Sequence, residues 1–371
     1  MLEVERKPLA DALNRMQTVG RGVQYDTVMG QVSEKGVRLW FMSLDITIWE
    51  LIQGSKFDGE DFSFSCDINK LAPLVSAWKA STVQLSKGTK DSLVIKAGKD
   101  TVNIPLFRGV FDTIQDEPAL TYLGMVDEEF INNIATASAF LRKTTDQPEL
   151  ECVRISSSLK EGISITGCDS QVFFFARCVL DEFDNNLYGS TPIVDDVLLP
   201  SRAAGMITKL FPKAKVALYR GDNEFLIMQA GERTIMFAPF VANYPAIIES
   251  VMKSEGQPII SLDKAKCLEA LRVSSVVTDS KLIYLSKDEN GIVIKSPKAI
   301  MESDIRLDGI EELGEMDETI GFNRDFLSNC LKVLDDKKIN LERIGVGEND
   351  IYRLTGCDNS DKSTAVFPLR A

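Results

Sequence analysis

The chain has 371 residues, 44% of them apolar, and a net charge of −13, which suits about three domains, each with its own core. It contains no histidine, so Ser-His-Asp and Cys-His mechanisms are excluded, and a zinc centre loses its commonest ligand. The seven cysteines are scattered and form no CxxC pair, a pattern of free thiols in a reducing cytoplasm with no metal site or disulfide framework. No apolar run is long enough to cross a membrane, and the opening Met1-Leu2-Glu3-Val4-Glu5-Arg6 lacks the order of a signal peptide. Neither GxxxxGK[ST] nor GxGxxG occurs, so no nucleotide cofactor is expected.

In chain order, apolar periodicity predicts six helices. The first covers 5–17, with Pro8 in its first turn and Leu9, Ala12, Leu13 and Met16 on one face. The second covers 68–81, capped by Asp67. The third covers 126–145, where Asp127, Glu128 and Glu129 suit the positive end of the helix dipole. Helices at 201–214, 262–278 and 323–338 follow, with Ser201 and Asn323 as candidate caps. Alternating runs such as Val37–Phe41, Leu93–Ala97, Lys215–Tyr219 and Thr234–Phe237 read as half-buried antiparallel strands. The class is α+β. Linkers at Asp116-Glu117-Pro118 and Ser254-Glu255-Gly256-Gln257-Pro258 divide the chain into domains 1–122, 123–252 and 253–371.

Those three segments repeat one grammar. Gly36-Val37-Arg38-Leu39-Trp40, Gly162-Ile163-Ser164-Ile165-Thr166 and Gly291-Ile292-Val293-Ile294-Lys295 each follow a charged turn and open an alternating strand. A second set, Thr101–Leu106, Arg233–Ala238 and Ser363–Pro368, reads as the closing strand of each unit. The charge is also partitioned. The six predicted helices hold 17 Lys or Arg against 10 Asp or Glu, although the whole chain is strongly acidic. Lysine-rich solvated helix faces are one reading of this. The other is a basic helical surface that neutralises nucleic-acid phosphates without reading sequence, and an acidic surface elsewhere that repels them.

Specific stretches then resemble one family. Lys7-Pro8-Leu9-Ala10-Asp11-Ala12-Leu13 with Gly20-Arg21 is similar to its first helix and following loop. Gly162 through Cys168-Asp169-Ser170 resembles the strand before its ATDG[HYR]RL turn. Val197-Leu198-Leu199-Pro200-Ser201-Arg202 resembles its VPRK helix start, and Asn243-Tyr244 with Ile247 its DYxxVIP stretch. Ile320-Gly321-Phe322-Asn323-Arg324-Asp325-Phe326-Leu327 is similar to IGFNxxYL, and Phe367-Pro368-Leu369-Arg370-Ala371 to the terminal MPMRL. The family is the bacterial sliding clamp, the β subunit of DNA polymerase III.

The resemblance covers essentially the whole chain and implies three similar domains, each with two inner helices and outer antiparallel sheets. Two subunits would close head to tail into a ring around duplex DNA, in the cytoplasm and on the nucleoid during replication. It also implies a processivity factor with no catalysis or cofactor of its own. Its partners would be DNA, polymerase, clamp-loader subunits and a second copy of itself. Carried over residue by residue, the partner-peptide pocket is Leu150, Cys168, Ser170, Gln171, Val172, Phe173, Ala242, Ile247, Phe367, Pro368, Leu369 and Arg370. Ser170 replaces the family's glycine, Gln171 its histidine or tyrosine, Val172 its arginine and Ala242 its proline, so a shifted peptide preference is expected. Ordinary core packing is the competing reading of Phe173, Ile247 and Phe367. For DNA, Arg21 and Arg202 match family positions, while Lys79, Arg142, Lys143, Lys209 and Lys332 are chosen for lying on predicted helices, where solvated charge is the alternative. Val102, Ile104, Arg272 and Val276 are the subunit-contact candidates. Three further readings stay open: a specialised paralogue serving another polymerase or repair factor, a carboxylate-based enzyme, and a scaffold that binds only proteins.

Overall fold

The structure, a computed structural model, describes residues 1–22, 26–89, 91–107, 120–143, 146–158, 162–179, 196–221, 225–289, 291–296, 304–316, 319–346, 349–359 and 361–369. The elements run through one order three times. The first pass is β1 (Leu2–Glu5), α1 (Arg6–Gly20), β2 (Thr27–Ser33), β3 (Gly36–Met42), β4 (Ile46–Phe57), β5 (Phe62–Asp67), α2 (Ile68–Ala77), β6 (Thr82–Lys87), β7 (Ser92–Ala97) and β8 (Asp100–Pro105). The second is β9 (Leu120–Val126), α3 (Glu128–Ser138), a short 3₁₀ turn (Pro148–Glu151), β10 (Cys152–Ser158), β11 (Gly162–Cys168), β12 (Val172–Cys178), β13 (Val197–Pro200), α4 (Ser201–Leu210), β14 (Val216–Gly221), β15 (Leu226–Ala230) and β16 (Arg233–Phe237). After α5 (Ala246–Lys253) comes the third: β17 (Gln257–Asp263), α6 (Lys264–Val277), β18 (Leu282–Asp288), β19 (Gly291–Lys295), β20 (Asp304–Arg306), β21 (Glu311–Glu312), β22 (Thr319–Asn323), α7 (Arg324–Val333), β23 (Lys338–Val346), β24 (Asn349–Gly356) and β25 (Lys362–Val366).

The pairing repeats with the order, and every ladder is antiparallel. β2 pairs with β3 and β5, and β3 with β4; β10, β11, β12 and β13 pair in the same pattern, as do β18, β19, β20 and β22. The closing strands also match: β6–β7–β8, β14–β15–β16 and β23–β24–β25 are three equivalent meanders. The three repeat glycines open β3, β11 and β19 at φ values of 138°, 76° and 123°, a region closed to most side chains. That backbone requirement explains why the same residue recurs where the strand sequences differ.

Six helices start at, or one residue after, the end of a strand, and four of them are capped by an Asp or Asn side chain at that junction. Asp67, Asp127, Asp263 and Asn323 each end or follow a strand and cap the next helix, accepting N–H groups from Asn69 (2.8 Å), Glu129 (2.9 Å), Lys266 (3.0 Å) and Asp325 (3.0 Å) respectively. An N-cap residue keeps extended backbone angles while its side chain satisfies a free helix donor, so it can finish the strand and begin the helix at once. Ser201, expected as a cap, is instead the first helical residue of α4. The observed helices are shorter at their C-terminal ends than their periodicity suggests: α2 stops at Ala77, α3 at Ser138, α4 at Leu210 and α7 at Val333. α1 instead runs three residues further than read, to Gly20.

The described chain forms two compact units, with boundaries inside α3, inside α4 and after Pro239. Among the described residues the first draws on 1–131 and 205–239, and the second on 132–179, 196–204 and 240–369. In the first unit the main path of one sheet is β8-β7-β6-β1-β4-β16-β15-β14-β9, and α1 packs on α2. A buried ion cluster pins its β4–β16 joint. Glu50 of β4, 8% exposed, is the cross-strand partner of Arg233 of β16. It accepts a hydrogen bond from Arg15 Nε of α1 at 3.2 Å and lies 3.4 Å from Arg233 Nε. Arg233 also donates to the Leu210 carbonyl and lies over the Phe211 ring. Burial lowers the Arg233 guanidinium from its ordinary value, and the Glu50 charge opposes that shift. The second unit holds a nine-stranded sheet, β13-β10-β11-β12-β25-β24-β23-β17-β21, and a four-stranded sheet, β20-β19-β18-β22, with α6 packed on α7.

Removing one partner of a buried pair leaves an uncompensated charge. Glu50→Ala is expected to destabilise the protein by about 3 kcal/mol in urea unfolding, because Arg15 and Arg233 both lose their carboxylate.

Candidate binding site

The second unit contains an apolar cluster that gathers distant parts of the sequence. Leu150, Cys168, Phe173, Ile248, Val251, Ile344, Ile351 and Ala365 are all buried in it, with Tyr244, Met252 and Phe367 packed against its side. Four of the expected pocket residues, Leu150, Cys168, Phe173 and Phe367, therefore meet in one place. Ile248, Val251, Ile344, Ile351 and Met252 were not singled out in the sequence.

The rim is built by the β11–β12 turn. Asp169 Oδ1 accepts the N–H groups of Gln171 and Val172, both at 2.9 Å, and the Asp169 N–H donates to the Val172 carbonyl at 3.1 Å. This tight turn forces Ser170 to φ 77°, glycine's region, where the family pattern has glycine. Ser170 and Gln171 are exposed, while Val172 is 4% exposed. The chain after β25 then passes across the rim. The Phe367 N–H donates to the Gln171 carbonyl and the Leu369 N–H to the Gly321 carbonyl, both at 2.9 Å. The IGFN and FPLR stretches, far apart in sequence, thus meet through a backbone bond. Pro368 and Leu369 are half-buried; Arg370 lies outside the described residues.

The segment 240–253 also contributes to the cluster, through Tyr244, Ile248, Val251 and Met252. Pro245 sets the start of α5 with no side-chain cap, and the helix turns Ile248 (3% exposed) inward and Ile247 (44% exposed) outward. Val241, 88% exposed, and the exposed Ala242 stand beside Ile247 in sequence. Tyr244 leans on the cluster with the Arg154 guanidinium 5.6 Å from its ring centroid, and Arg154 is held to Asp196 at 2.9 Å. The Tyr244 hydroxyl is buried without a hydrogen-bond partner, and that burial raises its pKa well above the usual value. Burial likewise pushes the Cys168 thiol up to about 12; the Ser170 N–H opposes this and Asp169 adds to it.

The candidate DNA residues are dispersed. Arg21 is exposed at the end of α1, and Arg202 sits half-buried in the first turn of α4. Lys209 and Lys332 are exposed on α4 and α7. Lys79, Arg142 and Lys143 are exposed but lie beyond the ends of α2 and α3, so the helical placement expected for them does not hold. In the first unit, Asp11, Asn14, Arg15 and Thr18 of α1 and Lys209 and Leu210 of α4 line a cleft of about 190 Å³. The observed helices other than α5 hold eleven Lys or Arg residues against five Asp or Glu, so the charge partition survives their shortening. Of the subunit-contact candidates, Val102 and Ile104 lie on β8, and Arg272 and Val276 on α6. Ile104 is buried, which leaves only its backbone edge for a partner, while Val276 is 84% exposed. Among the described residues no Cys, Asp and Glu group of three or more is placed to hold a metal, and no helix is long and apolar enough to cross a membrane.

No protein-family model and no curated protein matches the sequence. Solved structures do match the fold. The DNA polymerase III β chain of Streptococcus pneumoniae superposes with a TM-score of 0.81 at 18% identity, covering all of both chains. The DNA polymerase sliding clamp of Bacillus subtilis gives 0.82 at 16%, over all of this chain and 99% of that one. The Helicobacter pylori β clamp bound to a DNA ligase peptide gives 0.78 at 18%, again over 100% and 99%. The chain has the bacterial sliding-clamp fold.

Relief of the strained turn gives one expectation: Ser170→Gly should stabilise the protein by about 1 kcal/mol in urea unfolding. Tyr244→Phe, which removes an unpaired buried hydroxyl, should be neutral or stabilising by about 1 kcal/mol in the same measurement. The buried thiols give a third. Cys66, Cys152, Cys168, Cys267 and Cys330 are each raised from 9.0 to about 12, chiefly by burial, so the folded state holds protons that the unfolded chain releases. Their contribution is fully present below pH 9 and is lost as pH climbs from 9 to about 12, which pH-dependent unfolding would register. At pH 8 a thiol reagent should modify the exposed Cys357 first.

Proposed function

We propose that the chain is a DNA sliding clamp: two copies close head to tail around duplex DNA and tether polymerase and other partners through the apolar pocket beside Phe173. It catalyses nothing itself, works in the cytoplasm, and joins the nucleoid during replication. On this reading the repeats are domains 1–122, 123–252 and 253–371. One observation carries it. The closing strand β16 pairs with β4, and the closing strand β25 pairs with the equivalent β12. The third closing strand, β8, and the third equivalent strand, β20, each stand at a sheet end among the described residues. Joining β8 of one copy to β20 of another, twice, removes both open edges and closes a two-subunit ring. Val102 and the β8 backbone would face Val276 and Arg272 across that joint. The net basic helices support a lining toward phosphates, with Arg21, Arg202, Lys79, Arg142, Lys143, Lys209 and Lys332 as contacts. Clamp-loader subunits are partners of the same pocket.

A second reading, a specialised clamp serving another polymerase or repair factor, is favoured by the rim. Ser170, Gln171, Val172 and Ala242 replace the family's polar and rigid residues while the apolar cluster is intact. Affinity capture of partners from the host separates the two readings.

Light scattering at micromolar concentration is expected to give about 82 kDa, twice the 41.1 kDa of one chain; a stable monomer would remove the ring. Arg21→Ala with Arg202→Ala should weaken duplex association and reduce its log-log salt slope by about 2, and an unchanged slope would exclude both as phosphate contacts.

A further inference from the structure

The pocket is floored partly by a helix too short to stand alone. α5 has eight residues, begins at Pro245 without a side-chain cap, and yet supplies Ile248 and Val251 to the cluster. An isolated helix of that length is unstable in water, so something outside it must hold it.

The holding contact comes from the neighbouring sheet. Glu342 of β23 and Arg353 of β24 are cross-strand partners, two positions along from the Ile344–Ile351 pair that joins the apolar cluster. Alternation puts both pairs on one face of the sheet. Arg353 Nη2 lies 2.7 Å and Nε 2.8 Å from Glu342 Oε2, and the side chains are only 13% and 14% exposed. The remaining Glu342 oxygen accepts from Thr355 Oγ1 at 3.1 Å. With its orientation fixed, the guanidinium donates through Nη1 to two carbonyls at the end of α5: Val251 at 3.4 Å and Ser254 at 3.2 Å. These are carbonyls that a helix C-terminus otherwise leaves unpaired. The chain leaving α5 passes directly over the pair. A Cβ at Gly256 would meet Glu342 Oε2 at 2.5 Å and Arg353 Nη2 at 2.9 Å, so a side chain there would have to push the pair aside.

We infer that Arg353 and Glu342 are positioning residues for the peptide pocket: together they lock the end of α5, and so fix the floor formed by Ile248 and Val251. This inference rests on reading the cluster as a partner-peptide site. An ion pair that merely joined β23 to β24 would need no bonds to the α5 carbonyls. Arg is required because one planar fork serves a carboxylate and two carbonyls together, which a lysine ammonium cannot do with the same geometry.

The test uses the full-length protein and a fluorescein-labelled copy of the clamp-binding segment of the host's own replicative polymerase. Three quantities are read for the wild type and for Arg353→Met, Arg353→Lys and Glu50→Ala: peptide affinity by anisotropy, amide exchange over 246–256, and melting temperature. Arg353→Met is expected to weaken the peptide by about tenfold, the scale of losing preorganisation, and to speed exchange in 246–256. Arg353→Lys should recover part of both. Glu50→Ala, in the other unit, should lower the melting temperature but leave affinity and exchange at 246–256 unchanged. Wild-type-like affinity in Arg353→Met, or equal losses in Arg353→Met and Glu50→Ala, overturns the inference. If the wild type itself binds no peptide, the pocket reading fails and takes the inference with it, a result distinct from wild-type binding that the Arg353 variants leave intact.

Discussion

A β-strand at the edge of a sheet carries a row of unmet backbone donors and acceptors, and the architecture follows from how this chain satisfies them. Each meander ends in a closing strand with one edge still open. Two of the three are met by the third strand of a different four-strand group, β16 on β4 and β25 on β12, through five residue pairs each. The first of these joints is reinforced by the Arg15–Glu50–Arg233 cluster, which ties a helix to both strands. The remaining closing strand, β8, has no such partner among the described residues, and the proposed dimer follows from applying the same solution once more.

The helices are attached to that framework with little freedom. In three cases, Asp67, Asp263 and Asn323, a single residue is both the end of the strand and the cap of the helix, and Asp127 caps α3 one residue after its strand, so the start of the helix is set by the strand. Helix faces then supply the buried stripe, as Leu9, Leu13 and Met16 do in α1, while Lys7, Lys209 and Lys332 stay exposed and Arg15 and Arg324 turn inward to partners. The pocket cluster draws on the same economy. It collects the starts and ends of strands, a turn and one short helix, none of which forms a binding surface alone.

Much of this was legible in the sequence where a residue type is required by the backbone. Gly36, Gly162 and Gly291 announced the repeat because their φ values exclude most other residues. Asp67 and Asn323 announced helix starts because capping needs a short acceptor. Helix ends were not legible, since good helix formers continue past Ala77, Ser138 and Val333 while the stop is imposed by packing: the Ala137 carbonyl lies where a Cβ at Gly167 would sit, and Trp78 turns extended. α5 carries no sequence signal, because its eight residues make only just over two turns, too few to display a period. The phase set by Pro245 turns Ile248 into the cluster and leaves Ile247 exposed. The Arg353 contacts had no sequence signal, because they join a strand to carbonyls about a hundred positions away.

The distribution of the sulfur atoms has a practical consequence. Six of the seven cysteines are buried, and Cys357 alone is exposed, at the end of β24 with its thiol donating to Asn340 Oδ1 at 3.1 Å. The natural chain therefore carries its own single attachment point for a fluorophore. A reporter placed there follows one molecule's motion, or energy transfer between two copies, without any cysteine having to be removed from the core.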